Sequence, residues 1–134
     1  MYEHVLVTVA PGKVGDQSKV FEIARKLLAP NGKLSVLSVV EQVPTHVYVY
    51  LPNNYYEDSV SGVKADLEKE LEVPEEDIHV HFGQAANSIL QWSEEADVDC
   101  VLIKSHQPEL SDFLLGSTAA KVVRHAKCSV HVIR

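Results

Sequence analysis

No unbroken apolar run in this sequence is longer than a few residues, so nothing in it reads as a bilayer-spanning helix or a signal peptide. A cytoplasmic location without a membrane partner is expected. Cysteine is scarce: Cys100 and Cys128 both sit among apolar residues and read as buried free thiols of a reducing compartment, not as a disulfide framework. Positive charge is also short, with 12 Lys and Arg against 19 Asp and Glu and a net charge of -7. The cations are scattered, and such a balance repels a nucleic-acid backbone, so no nucleic-acid partner is expected. An anionic ligand would therefore have to be held by local dipoles and amides.

Signatures of turnover are missing as well. There is no Walker A segment, no G-x-S-x-G elbow and no G-x-G-x-x-G turn after the first strand, where the chain reads Pro11-Gly12-Lys13-Val14-Gly15. A phospho-receiver needs clustered acids after its first strand, where this chain has Val9-Ala10-Pro11. Ser105 and His106 are neighbours on the chain and would not face one another in an extended segment, so no catalytic residue is assigned. What is present is ordinary for a globular protein: 134 residues, 46% hydrophobic and 23% charged, enough for one domain spanning residues 1–134.

Periodicity supplies the architecture. His4 to Ala10 is a valine-rich run that reads as a strand buried on both faces. Asp16 can cap a helix carrying Val20, Ile23, Ala24, Leu27 and Leu28 at helical spacing, and Pro30-Asn31-Gly32 ends it. A second strand covers Lys33 to Val40. Glu41 to Asp58, with two prolines and four tyrosines, predicts a long connection whose tyrosines cover a ligand, meet a subunit or simply pack on the surface. Val60, Val63, Leu67 and Leu71 mark the next helix, stopped by Pro74. Ile78 to Phe82 alternates as a strand with His79 and His81 on one face; no third ligand stands near them, so no metal is assigned. After Gly83 a helix opens at Ala86 or Asn87 and carries Ile89, Leu90, Trp92 and Ala96. Asp99 to Lys104 and Ser129 to Ile133 complete five strands alternating with four helices. That order predicts a doubly wound, Rossmann-like α/β fold with a five-stranded parallel sheet, which binds ligands outside the carboxyl ends of its strands where the winding reverses.

Two starts compete for the last helix. A cap at Asp112 gives one stripe through Leu115, Ala119, Val122 and Ala126 but leaves Gly116 inside the helix, at a cost of about 1 kcal/mol relative to alanine. A start at Gly116-Ser117 instead presents free N–H groups and the helix dipole to an anion.

The opening MYEHVLVTVA, the second strand with LSVLSVVEQVP, and above all VLIKSH followed by LLGSTAAKVVRHAKCSVHVIR resemble the universal stress protein family from end to end. The chain looks most like a short-loop branch with Ser-His-x-Pro and Leu-Leu-Gly-Ser motifs. The resemblance implies a stress-response or regulatory protein that binds ATP, with or without Mg2+, and at most hydrolyses it slowly. It places adenine near Val9, Ala10 and Val39, and the ribose and phosphates over Lys104, Ser105 and His106 and at Gly116, Ser117 and Thr118. It further implies a homodimer through the last strand, Ser129, Val130, His131, Val132 and Ile133, which pairing of an open sheet edge would also favour. Dimers could associate to a tetramer, and occupancy would govern contact with a regulatory protein partner. The chain departs from the family pattern at Lys104 and Gln107, where glycines are usual, and at Ala10, where an acid is usual. The alternative is a nucleotide-free dimeric interaction protein with its site closed by these changes.

Overall fold

Val5, Leu6 and Val7 have no exposed surface at all, because the strand they belong to, β1 (Tyr2–Thr8), runs through the middle of the sheet. The computed structural model describes residues 1–11, 17–70, 73–105 and 116–134. In chain order β1 is followed by α1 (Ser18–Leu27), β2 (Leu28–Val40), α2 (Thr45–Tyr48) and α3 (Tyr55–Glu70). A 3-10 turn (Glu75–Asp77), β3 (Ile78–Phe82), α4 (Ala85–Glu95), β4 (Cys100–Lys104), α5 (Ser117–His125) and β5 (Ser129–Ile133) complete it. All pairings are parallel and the strand order is β3-β2-β1-β4-β5. This is the doubly wound α/β arrangement that the periodicity predicts.

Successive side chains of a strand point to opposite faces, so the sheet feeds two cores. On one face Val5, Val7 and Val36 meet Val20, Phe21 and Ala24 of α1 and Leu67 of α3. On the other, Leu6, Leu37, Val101 and Ile103 meet Ala86 and Ile89 of α4 and Ala119 and Val122 of α5. Cys100 lies in the first core and Cys128 packs against the second, so the sheet separates the two thiols. Burial pushes the Cys100 thiol up to about 11, far from the reactive range.

Several boundaries differ from the sequence reading. β1 begins at Tyr2 and ends at Thr8, after which Val9 keeps one N–H bond to Leu37 O (3.0 Å) before the turn at Pro11. Pro30-Asn31-Gly32 does not separate helix from strand. It lies inside β2, in an irregularity that sets Tyr2 opposite Leu28 but His4 opposite Lys33. A side chain at Gly32 would come within 3.0 Å of Tyr2 O, so the tight approach of the two strands requires glycine there. The long connection also contains more structure than its composition implies. Thr45–Tyr48 forms a short helix, and α3 starts at Tyr55, within the stretch expected to be loop. Tyr56 accounts for this: it stacks with Tyr48, meets Phe82 edge-on at 4.7 Å, and accepts the N–H of Val43 at 3.1 Å. α4 starts at Ala85 because Gln84 caps it, its Oε1 accepting the N–H of Asn87 at 2.7 Å, a role that glutamine seldom signals in sequence. The expected cap Asp16 and stripe residue Leu71 lie outside the described residues.

The amino-terminal end of the sheet is closed by polar contacts. The carboxylate of Asp99 accepts the backbone N–H groups of Glu3 and His4, both at 2.9 Å. Desolvation opposes its ionisation, but these bonds outweigh it and hold its pKa below the usual carboxylate range. His4 spans Ala96 O (3.0 Å) and Ser35 Oγ (2.8 Å). Trp92 packs against both His4 and His79, at ring distances of 6.0 and 4.9 Å.

Two pairs of measurements test this packing. Gly62 lies within α3 with open space where a Cβ would stand, no atom coming within 4 Å, whereas Gly83 has φ +140 and its added carbon would stand 2.9 Å from Ser88 Oγ. Gly62→Ala should therefore raise the free energy of unfolding by about 0.5–1 kcal/mol, and Gly83→Ala should lower it by at least about 1 kcal/mol; denaturant titration of both variants checks the opposite signs. The second concerns acid. His79 Nε2 is buried without a hydrogen-bond partner among the described residues. Burial, then the charges of His81, Lys33 and Lys64 against that of Asp77, holds the imidazole pKa below its ordinary 6.5. The unfolded chain then takes up the proton first, so stability should fall as pH drops below about 6.5 and level off below the folded pKa. His79→Leu should flatten that limb in melts from about pH 7.5 to about pH 5; an unchanged slope would assign it to other groups.

Candidate functional site

β1 is followed in the sheet by β2 on one side and β4 on the other, and the chain winds outward in opposite directions from this point. The last β1–β4 register pair is Val7–Leu102; beyond it Thr8 Oγ1 donates to Leu102 O at 3.2 Å and the two chains part. Above that parting lies a cleft of about 940 Å3. This is the place and the size range expected for a small-molecule site in a doubly wound sheet.

Each strand end supplies part of the wall. Thr8, Val9, Ala10 and Pro11 come from the end of β1, Leu37, Val39 and Glu41 from β2, and Ile103, Lys104 and Ser105 from β4. Ala85 and Ile89 of α4 and Ala119 of α5 add apolar surface, and Gln17 and Arg134 also line it. Val9 and Val39 are buried, so the middle of the cleft is hydrophobic. Ser105 is buried as well, and its N–H donates to Ile133 O at 3.0 Å, which fixes the end of β4 against β5.

The helix-start question is settled in favour of Gly116. It occupies the cap position of α5 with an extended ψ of 154, and Ser117 is the first helical residue. Glycine has no side chain to cap that end, and the first-turn N–H groups of a helix have no intrahelical acceptor. Helices begin where such a start costs little, and glycine at the cap keeps the approach open. The other start, Asp112, lies outside the described residues, but a continuous helix through Gly116 does not form.

Of the residues expected at a nucleotide site, Val9, Ala10, Val39, Lys104, Ser105, Gly116 and Thr118 all line the cleft. Ser117 does not; it is exposed on the outer side of the first turn. His106 and Gln107 lie outside the described residues. Sequence reasoning missed Glu41 and Arg134, each one residue beyond a strand end that it had placed correctly. It also missed Ala85 and Ile89, because placing them requires knowing that α4 crosses beside β1's open end. The tyrosines of the 41–58 connection line none of the cleft; Tyr48, Tyr55 and Tyr56 pack on one another and on Phe82, and Tyr50 is exposed. Among the described residues no group of three metal-ligating side chains forms, and His79 and His81 stand on the β3 edge of the sheet.

β5 forms the opposite edge, with Ser129 and His131 exposed, Val130 and Val132 half-buried and Ile133 buried. No described residue pairs with its outer side.

The model of the universal stress protein family matches residues 1–134. Universal stress protein G of Salmonella typhimurium is 45% identical over 56 residues, 42% of this chain and 39% of that protein. A universal stress protein of Methanothermobacter thermautotrophicus is 36% identical over 75 residues, 52% of this chain and 51% of that one. The matched stretches thus span about half or less of these relatives' own length. Among solved structures, universal stress protein UspA from Lactobacillus plantarum superposes with a TM-score of 0.74 at 19% identity, covering 99% of this chain and 98% of that one. A universal stress protein in complex with cAMP gives 0.60 at 17% identity, covering 99% and 97%. At such identities these likenesses speak for the fold, which is the one described above. With its whole length matched by the family model, the chain belongs to the universal stress protein family.

Proposed function

We propose that this chain is a stress-response or regulatory domain that binds an adenine nucleotide, ATP with or without Mg2+, as a cytoplasmic homodimer and without efficient turnover. The observation that carries the reading is the cleft at the winding reversal, apolar at Val9 and Val39 and bordered by the start of α5 at Gly116. The two ends suit the two halves of a nucleotide. The valine-lined middle takes a flat base, and the first-turn amides of α5 with its dipole take phosphate oxygens. A similar fold carrying cAMP adds support for a nucleotide of some kind.

A site closed by Lys104 is the less favoured reading, since Lys104 is exposed and forms part of the wall of a cleft that retains about 940 Å3. No group in the described wall is disposed as a general base toward a phosphate. Glu41, the carboxylate among the described lining residues, belongs to the end of β2, across β1 from the phosphate end.

The unpaired outer side of β5, with no described residue against it, supports the dimer. Antiparallel pairing of Ser129 to Ile133 with a second copy satisfies its outer backbone groups and buries Val130 and Val132 against their equivalents. A tetramer would then use surfaces away from this edge, and occupancy of the cleft would alter what a regulatory partner meets.

Protein purified without added nucleotide and then denatured should release adenine nucleotide, and the stripped protein should show a heat of binding for ATP with magnesium. Absence of both sinks the reading. Gly116→Asp sets a carboxylate against the phosphates and should weaken ATP binding on the order of a hundredfold; unchanged affinity would place the phosphates elsewhere. In sedimentation at micromolar concentration the protein should run at twice the 14.8 kDa of the chain. A 14.8 kDa species there would count against the β5 dimer.

A further inference from the structure

Among the described residues, three ionisable side chains line the cleft, and they are not mixed: Glu41 stands at one end, Lys104 and Arg134 at the other. The sheet order fixes this separation. Glu41 follows the end of β2, Lys104 ends β4 and Arg134 follows β5, with the uncharged Ala10 at the end of β1 between them. Neighbouring strands are about 4.8 Å apart, so Glu41 and Lys104 spring from strands about 10 Å apart, and β5 lies one spacing further. Lys104 stands opposite Ile133 in the β4–β5 register, one level before Arg134, so both residues lie at the carboxyl end of these two strands. The start of α5 at Gly116 borders the same end and adds the positive pole of its dipole. Lys104 makes no ion pair with a described residue, so its ammonium is not neutralised from within the described wall. In a chain of net charge -7 this local cationic end runs against the overall field.

We infer that Lys104 and Glu41 are specificity-determining residues that grade the cleft by charge and select a nucleoside polyphosphate over a cyclic mononucleotide. This deepens the nucleotide reading above and rests on it. A linear polyphosphate carries several negative charges away from its base, far enough to reach Lys104 while base and ribose lie across β1 toward Glu41. A cyclic phosphate carries one charge, tied back onto the ribose, and cannot serve both ends. Glu41, an acceptor only, takes hydrogen bonds from an exocyclic amine or a ribose hydroxyl and repels phosphate from the wrong end. The grading therefore fixes orientation as well as ligand class.

Isothermal titration of the full chain with ATP, adenosine, cAMP and inorganic tripolyphosphate tests this at low and high salt. ATP should bind at least about tenfold tighter than cAMP, and raising the salt should narrow the gap. Lys104→Ala should weaken ATP and tripolyphosphate about tenfold and leave adenosine within about twofold, with Lys104→Arg close to wild type. Glu41→Gln should weaken adenosine a few-fold without weakening tripolyphosphate. Equal ATP affinity in wild type and Lys104→Ala, or cAMP bound as tightly as ATP, overturns the inference and leaves nucleotide binding standing. If wild type binds neither ATP nor adenosine, the nucleotide reading fails by itself. Tripolyphosphate then decides for Lys104: binding lost in Lys104→Ala upholds the cationic end, and no binding overturns it. Because Lys104 and Glu41 are exposed, melting temperatures of the variants should match wild type and exclude unfolding as the cause.

Discussion

Everything else in this fold depends on burying β1 from all sides. Its residues Val5, Leu6 and Val7 meet α1 on one face, the α4–α5 layer on the other, and β2 and β4 along both edges. Such a strand can alternate nothing for solvent, hence its unbroken apolar run. The same placement forces the chain to wind first one way and then the other. That reversal is what leaves β2 and β4 diverging beyond Val7, with a cleft between them that the helices cannot fill. The site is in this sense a by-product of the strand that makes the fold stable.

The two ends of the sheet are built on opposite principles. At the amino end the polar groups are matched: Asp99 holds the N–H groups of Glu3 and His4, and His4 holds Ser35 and Ala96. The bonds to the Asp99 carboxylate are charge-assisted and individually worth more than neutral ones, and they tie the start of β1 to the residue before β4. At the carboxyl end the strands stop one after another, each leaving a residue at the rim. Buried Val9 and Val39, the start of α5 at Gly116, and Glu41, Lys104 and Arg134 line the cleft there. A closed amino end and an open carboxyl end would suit the ligand-binding role proposed above.

Elements with a strong period were legible in the sequence, and those governed by tertiary contact were not. The buried run at Val5 to Val9, the alternation of Ile78 to Phe82 and the strand at Ser129 to Ile133 need only hydrophobic patterning to be found. The early start of α3 at Tyr55 depends on Tyr56 packing against Tyr48 and Phe82, contacts distant in sequence from the helix they support. Gln84 caps α4 from outside the usual set of capping residues, and Pro30 and Gly32 mark a bulged pairing where they would ordinarily mark a turn. The site divides the same way. Lys104, Ser105 and Gly116 could be named from motif and strand end, whereas Ala85 and Ile89 belong to the cleft only because β3 sits beyond β2 and sends α4 back across the sheet.

The acidity of the chain shows why composition and site must be weighed on different length scales. A net charge of -7 describes the surface as seen from more than a Debye length away, about 8 Å at physiological salt, and it discourages polyanions such as nucleic acid. Inside a cleft whose walls include Val9, Val39 and Ile103, the nearest groups weigh more, and Lys104 and the start of α5 at Gly116 both line it. Exposed carboxylates elsewhere, such as Glu22 and Glu94 with their lysine partners, are screened and partly paired. On the charge grading proposed above, a small anion in the cleft would meet Lys104 and the start of α5 at short range, where the net charge that repels a large polyanion outside counts for less.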